Sequence, residues 1–170
     1  MRFLISISLL SILLVANSLD ELKARAKSGD INALMKLAFK YENGEGVKQD
    51  LSLAKRYYSQ AKELGSEDAK ISLSLLELSN NSEVIKHITN NVKIKNITTL
   101  NYTIDIKDIK ELINRAKKSD KDALFTLATL YDNGYGKLKA DSKKAILLYK
   151  KAAKLGSKRA QDVLSIKGVK

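Results

Sequence analysis

Apolar residues along most of this chain recur three and four apart, the spacing that lines one side of a helix. Between positions 33 and 41 the stripe is Ala33, Leu34, Leu37, Ala38 and Tyr41. Asn43-Gly44-Glu45-Gly46 interrupts it, and glycine there supplies the left-handed backbone that closes a helix. Asp50 is placed to cap a second helix by accepting backbone N–H bonds, and Ala54, Tyr58, Ala61 and Leu64 line that helix as far as Gly65. The two stripes predict a helical hairpin, with alanines letting the axes approach closely. Further helical spacing flanks it at 19–27 and 68–78, and appears again at 106–118 and 158–166. Residues 79–105 break the rhythm with Asn and β-branched side chains. Within them 82–90 suit a short helix, while 92–106 partly alternate, as a strand or extended stretch does.

The chain also aligns with itself. Residues 21–46 match residues 111–136 at an offset of 90, with about half the positions identical. After the Gly-x-Gly turn the offset becomes 91, so the second loop is one residue longer. The match then resumes, Asp50, Ala54, Tyr58, Ala61, Leu64 and Gly65 falling on Asp141, Ala145, Tyr149, Ala152, Leu155 and Gly156. A duplicated hairpin of this kind cannot bury both its faces alone and needs neighbours, which is the logic of a solenoid.

Before the first hairpin, Met1-Arg2 precedes an apolar run from Phe3 to Val15 diluted only by serines, and then Ala16-Asn17-Ser18. These are the parts of a secretory signal with its cleavage site. The run is shorter than the ~20 residues that span a bilayer as a helix. The expected organisation is a signal at 1–18, a repeat block at 19–78, an irregular or degenerate connector at 79–105 and a second block at 106–170. The expected location is the periplasm or the secreted fraction, with an N-terminal membrane anchor as the alternative if the signal stays attached.

Ala33 through Ala69, and again Ala123 through Ala160, resemble the Sel1-like repeat family. That family's pattern is a TPR-like helical hairpin with Ala, Leu and Tyr in its first helix, a Gly-x-Gly turn, and an Ala-x-x-x-Tyr-x-x-Ala stretch ending in Leu-Gly. The resemblance implies an all-α fold, an α-solenoid of antiparallel helix pairs, and a scaffold or adaptor role in protein–protein contact. It also implies that the first helix of each pair lines the concave side. Its positions outside the stripe would then meet a protein or peptide partner: Met35, Lys36, Phe39 and Lys40 in the first copy, Phe125, Thr126, Thr129 and Leu130 in the second. The competing reading is that the apolar members, Met35, Phe39, Phe125 and Leu130, pack between repeats.

Composition narrows the chemistry. There is no Cys and a single histidine, His87, so neither a thiolate metal site nor a cofactor is expected, and no disulfide framework is available. The net charge of +12 comes mostly from Lys spread over every predicted helix. Nucleic-acid readers cluster basic and aromatic residues on one face, so no nucleic-acid partner is expected; weak adhesion to anionic surfaces is the electrostatic alternative. Some exported Sel1-like proteins are described as penicillin-binding or weakly β-lactam-hydrolysing, which makes a β-lactam- or peptidoglycan-directed hydrolase the enzymatic alternative. Those relatives carry paired cysteines, absent here. Ser52-Leu-Ala-Lys55 and Ser59-Gln-Ala-Lys62 have the Ser-x-x-Lys spacing, but both lie inside a repeat helix and no Ser-Asp-Asn accompanies them. No catalytic residue is expected.

Overall fold

The computed structural model describes residues 19–91, 109–135 and 137–169. The expected signal at 1–18 and the whole of the extended stretch at 92–106 therefore lie outside the described residues, as does Gly136. Every regular element among the described residues is an α-helix: residues 19–27 (α1), Ile31–Asn43 (α2), Leu51–Glu63 (α3), Glu67–Asn80 (α4), Ser82–Asn91 (α5), Ile109–Lys117 (α6), Lys121–Asn133 (α7), Ser142–Lys154 (α8) and Lys158–Ile166 (α9). The fold class is all-α, built of paired helices as a solenoid repeat is. Two compact units divide between Leu73 and Ser74, inside α4.

In the first unit α2 packs on α3. Asp30 caps α2, its carboxylate accepting the Ala33 N–H at 3.0 Å. Asp50 caps α3 through the Leu53 N–H at 2.9 Å. Gly44 closes α2 in the left-handed region, at φ 74 and ψ 28. The loop beyond it is tied off by Asp50 N–H donating to the Tyr41 carbonyl at 2.8 Å. Ala33, Leu34, Leu37 and Ala38 from α2 and Ala54, Tyr58 and Ala61 from α3 are buried, so both stripes do face inward. Leu64 departs from the expectation. It is the C-cap of α3, past the last helical turn, and is 50% exposed. Leu155, its counterpart, is likewise exposed.

The second unit repeats this with more cover. Asp120 caps α7 and Asp141 caps α8. Asp141 N–H donates to the Tyr131 carbonyl at 2.7 Å, as Asp50 does to Tyr41. The extra loop residue is taken up in a turn held by reciprocal 2.8 Å bonds between the Tyr135 and Leu138 backbones. Between the hairpins, α4 and α5 are joined at Asn81, whose side chain caps α5 through the Val84 N–H at 3.0 Å. The expected connector is thus helical as far as Asn91. Glu77 and Glu83 pair with Lys144 and Lys137, tying the end of α4 and the start of α5 to the α7–α8 hairpin.

The repeated tyrosines differ in surroundings. Tyr41 is half-buried and stacks on Tyr57 at 5.8 Å. Tyr131 is buried, with the Lys144 ammonium 5.5 Å from its ring centre. The position of Tyr57 is taken by Leu148 in the second copy, which removes the stacking partner.

Candidate functional site

The eight residues expected to meet a partner differ in exposure between the two copies. On α2, Lys36 is exposed, Met35 and Lys40 are half-buried, and Phe39 is 47% exposed. Asn43 Nδ2 donates to the Phe39 carbonyl at 2.9 Å, and Lys40 Nζ reaches the Glu45 carbonyl at 3.4 Å, so this face is braced at the helix end. It presents an aromatic ring between two ammonium groups.

The second-copy set needs correcting. Phe125, Thr129 and Leu130 are buried, and only Thr126 is partly accessible. Phe125 lies 5.5 Å from the Tyr149 ring, with the Arg159 guanidinium 5.0 Å from its centre. Thr129 donates to the Phe125 carbonyl at 3.1 Å, and with its one proton so used it accepts from the Tyr149 hydroxyl 3.0 Å away. Thr126 donates to the Asp122 carbonyl at 2.8 Å. Phe125 and Thr129 are engaged by α8 and α9 and Leu130 is fully buried, so packing, and not partner contact, explains these three.

A second feature of the first unit was missed from the sequence. An open cleft of 460 Å³ lies between α1 and α3. Lys23 and Lys27 reach it from α1, and Arg56, Tyr57 and Gln60 from α3; Leu34 and Ala26 form an apolar floor. Glu63 is the one acidic residue in its wall. The signal was present in the duplication. Lys23 aligns with Ile113, Arg56 with Leu147 and Tyr57 with Leu148. Of these counterparts Ile113 and Leu148 are buried and Leu147 half-buried, whereas Lys23 and Arg56 are exposed.

The buried phenols are structural. Burial raises Tyr131 and Tyr149 to about 12, and raises Tyr58 further, with the Glu42 carboxylate adding to the effect on Tyr58. Each stays protonated at neutral pH, and Tyr58 donates to Glu42 at 2.8 Å. The Ser-x-x-Lys pairs both lie on α3, where Ser52, Lys55 and Lys62 are exposed.

The Sel1 repeat family model matches residues 31–66 and 121–157. No curated protein sequence matches the chain. Among solved structures, a protective antigen of uropathogenic Escherichia coli displaying an SLR fold is 26% identical over 88% of this chain and 28% of its own, with a TM-score of 0.44. This chain thus spans under a third of that antigen's length. A Sel1 repeat protein from Oxalobacter formigenes is 26% identical over 87% of this chain and 97% of its own, with a TM-score of 0.45.

Proposed function

The chain belongs to the Sel1 repeat family, its repeats lying at residues 31–66 and 121–157, and we propose that it is a protein-binding scaffold whose contact face is the exposed side of α2. Sel1 repeats are generally protein-interaction modules. The observation that carries the choice of face is the contrast between Phe39 and its counterpart. Phe39 is 47% exposed between Lys36 and Lys40, while Thr129 at the same repeat position is fully buried. An aromatic ring left half in water forgoes about half of the roughly 1.5–3 kcal/mol that full burial contributes, and interfaces recover such energy through aromatic anchors. The two flanking cations favour a partner with an acidic rim.

The proposed setting is outside the cytoplasm, supported by the basic start, apolar run and small residues of positions 1–18. Among the described residues no helix is long and apolar enough to cross a membrane. An adaptor role in that setting is tested by placing a photo-crosslinking residue at position 39 of the full chain in its native host, and another at the exposed position 143. A discrete adduct from position 39, lost with Lys36→Glu/Lys40→Glu, is the expected result. Equal adducts from both positions, or none from position 39, would remove the α2 face from the interaction. Fractionation of the same cells tests the location, and a chain confined to the cytoplasm would contradict it.

A further inference from the structure

We propose that the cleft between α1 and α3 is a separate binding site for an acidic peptide segment. A carboxylate would seat on Arg56 and Lys27, with an adjacent apolar side chain against Leu64. The charge in the wall is the first reason. Lys23 is paired with Asp20 at 3.6 Å, but Lys27 and Arg56 still outnumber the single carboxylate of Glu63 in the wall, so the cleft attracts anions. A guanidinium can hold a carboxylate through two parallel N–H···O bonds, which gives the site direction as well as charge. The apolar part of the lining is the second reason. Leu64, 50% exposed, lines the cleft together with the buried Leu34 and Ala26, so a wholly polar ligand would leave its apolar surface poorly matched. Tyr57 supplies a stiff wall, since its ring is stacked on Tyr41 at 5.8 Å and 20°.

Volume and openness select the occupant. At 460 Å³ the cleft falls within the ~300–1,000 Å³ of ordinary ligand sites. It is open to solvent, which suits a segment of polypeptide crossing it better than an enclosed metabolite. The duplication gives a further argument. The second copy carries Ile113, Leu147 and Leu148 where the first carries Lys23, Arg56 and Tyr57. Aliphatic side chains therefore satisfy this position of the fold, and the two cations and the tyrosine are not needed to make the hairpin. The site is independent of the α2 face, because none of Lys36, Phe39 and Lys40 lines it.

The test uses the full chain and a fluorescent, end-blocked peptide of alternating glutamate and leucine, read by anisotropy at near-physiological salt. The expected result is saturable binding that weakens about tenfold or more in Lys27→Glu/Arg56→Glu, as losing charge-assisted hydrogen bonds implies. Arg56→Leu, which installs the second copy's residue, is expected to weaken binding while leaving the melting temperature unchanged or higher, so loss of binding is separable from loss of folding. Phe39→Ala is expected to bind this peptide as the parent does. Lys48→Glu/Lys143→Glu changes the net charge equally at residues that do not line the cleft and is expected to bind nearly as well as the parent. The proposal fails if that control weakens binding as much as the cleft variant, or if a glutamine–leucine peptide binds equally. It fails too if the chain binds anionic phospholipid vesicles through Arg56 and ignores the peptide.

Discussion

Gly134 and Gly44 end equivalent helices, yet their backbones place different demands on them. Gly44 sits at φ 74, ψ 28, a left-handed conformation that other residues adopt at modest cost. Gly134 sits at φ 68, ψ 151, a region almost restricted to glycine. A Cβ at Gly134 would also lie 3.0 Å from the Ala140 backbone nitrogen and 3.2 Å from the Leu138 carbonyl oxygen, whereas at Gly44 the nearest atom is 3.4 Å away. Gly44→Ala is therefore expected to cost about 1 kcal/mol, and Gly134→Ala about 2–3 kcal/mol. Paired urea melts of the two variants measure the difference. Equal losses would show that the longer second loop relaxes around the new methyl group. Both glycines are legible as turn formers from the Asn-Gly-x-Gly and Asn-Gly-Tyr-Gly spellings. The inequality between them is not, because it arises from where residues 138–140 fold back.

The helix starts show how far a sequence can specify an element. In both copies an Arg five residues before the capping Asp pairs with it, Arg25 with Asp30 at 2.6 Å and Arg115 with Asp120 at 2.8 Å. The Arg25 guanidinium, with the Ala33 N–H, holds the Asp30 carboxyl below its ordinary 3.8. The Ala123 N–H, with Arg115, does the same for Asp120. A depressed folded value means the contribution is fully present above 3.8 and is lost as pH falls through the lower folded value. Acid-induced unfolding of Asp30→Asn/Asp120→Asn is accordingly expected to depend less on pH below about 4 than that of the parent, as circular dichroism would follow. An identical acid profile would show that the caps titrate alike in both states. At neutral pH Asp120→Ala is expected to cost about 1 kcal/mol through the lost cap. Caps, stripes and turns were readable because each depends on residues within a turn or two. The exposure of Leu64, the cleft and the burial of Phe125, Thr129 and Leu130 depend on which helix lies over a face. For Phe125 the cover includes Arg159, and in the first copy the aligned residues are Met35 for Phe125 and Asp68 for Arg159. No local pattern states that choice.

At the scale of the whole molecule, two cores share one chain, and the division falls within the continuous helix α4 rather than in a loop. A helix passing between cores can couple them, since its hydrogen bonds break together, or it can fray where one core ends and leave the units independent. The packing favours partial independence. Leu75, Leu76 and Leu78 are buried on the second side of the division, and Glu77 is pinned there by Lys144, so the end of α4 is held even when the first unit opens. Leu37 and Leu127 occupy the same repeat position and are each fully buried, which makes them matched probes. Replacing either by alanine is expected to cost about 2–5 kcal/mol. Under native-state hydrogen exchange, Leu127→Ala is expected to lower protection across α6–α9 while α2 and α3 keep theirs, and Leu37→Ala to do the reverse. Uniform loss of protection in both variants would mean that α4 transmits opening from one core to the other. A partner bound at α2 or in the cleft would then stabilise the second core as strongly as the first. Under partial independence, such a partner slows exchange in the first unit alone, which makes the same measurement on the peptide complex a direct reading of how local the binding is.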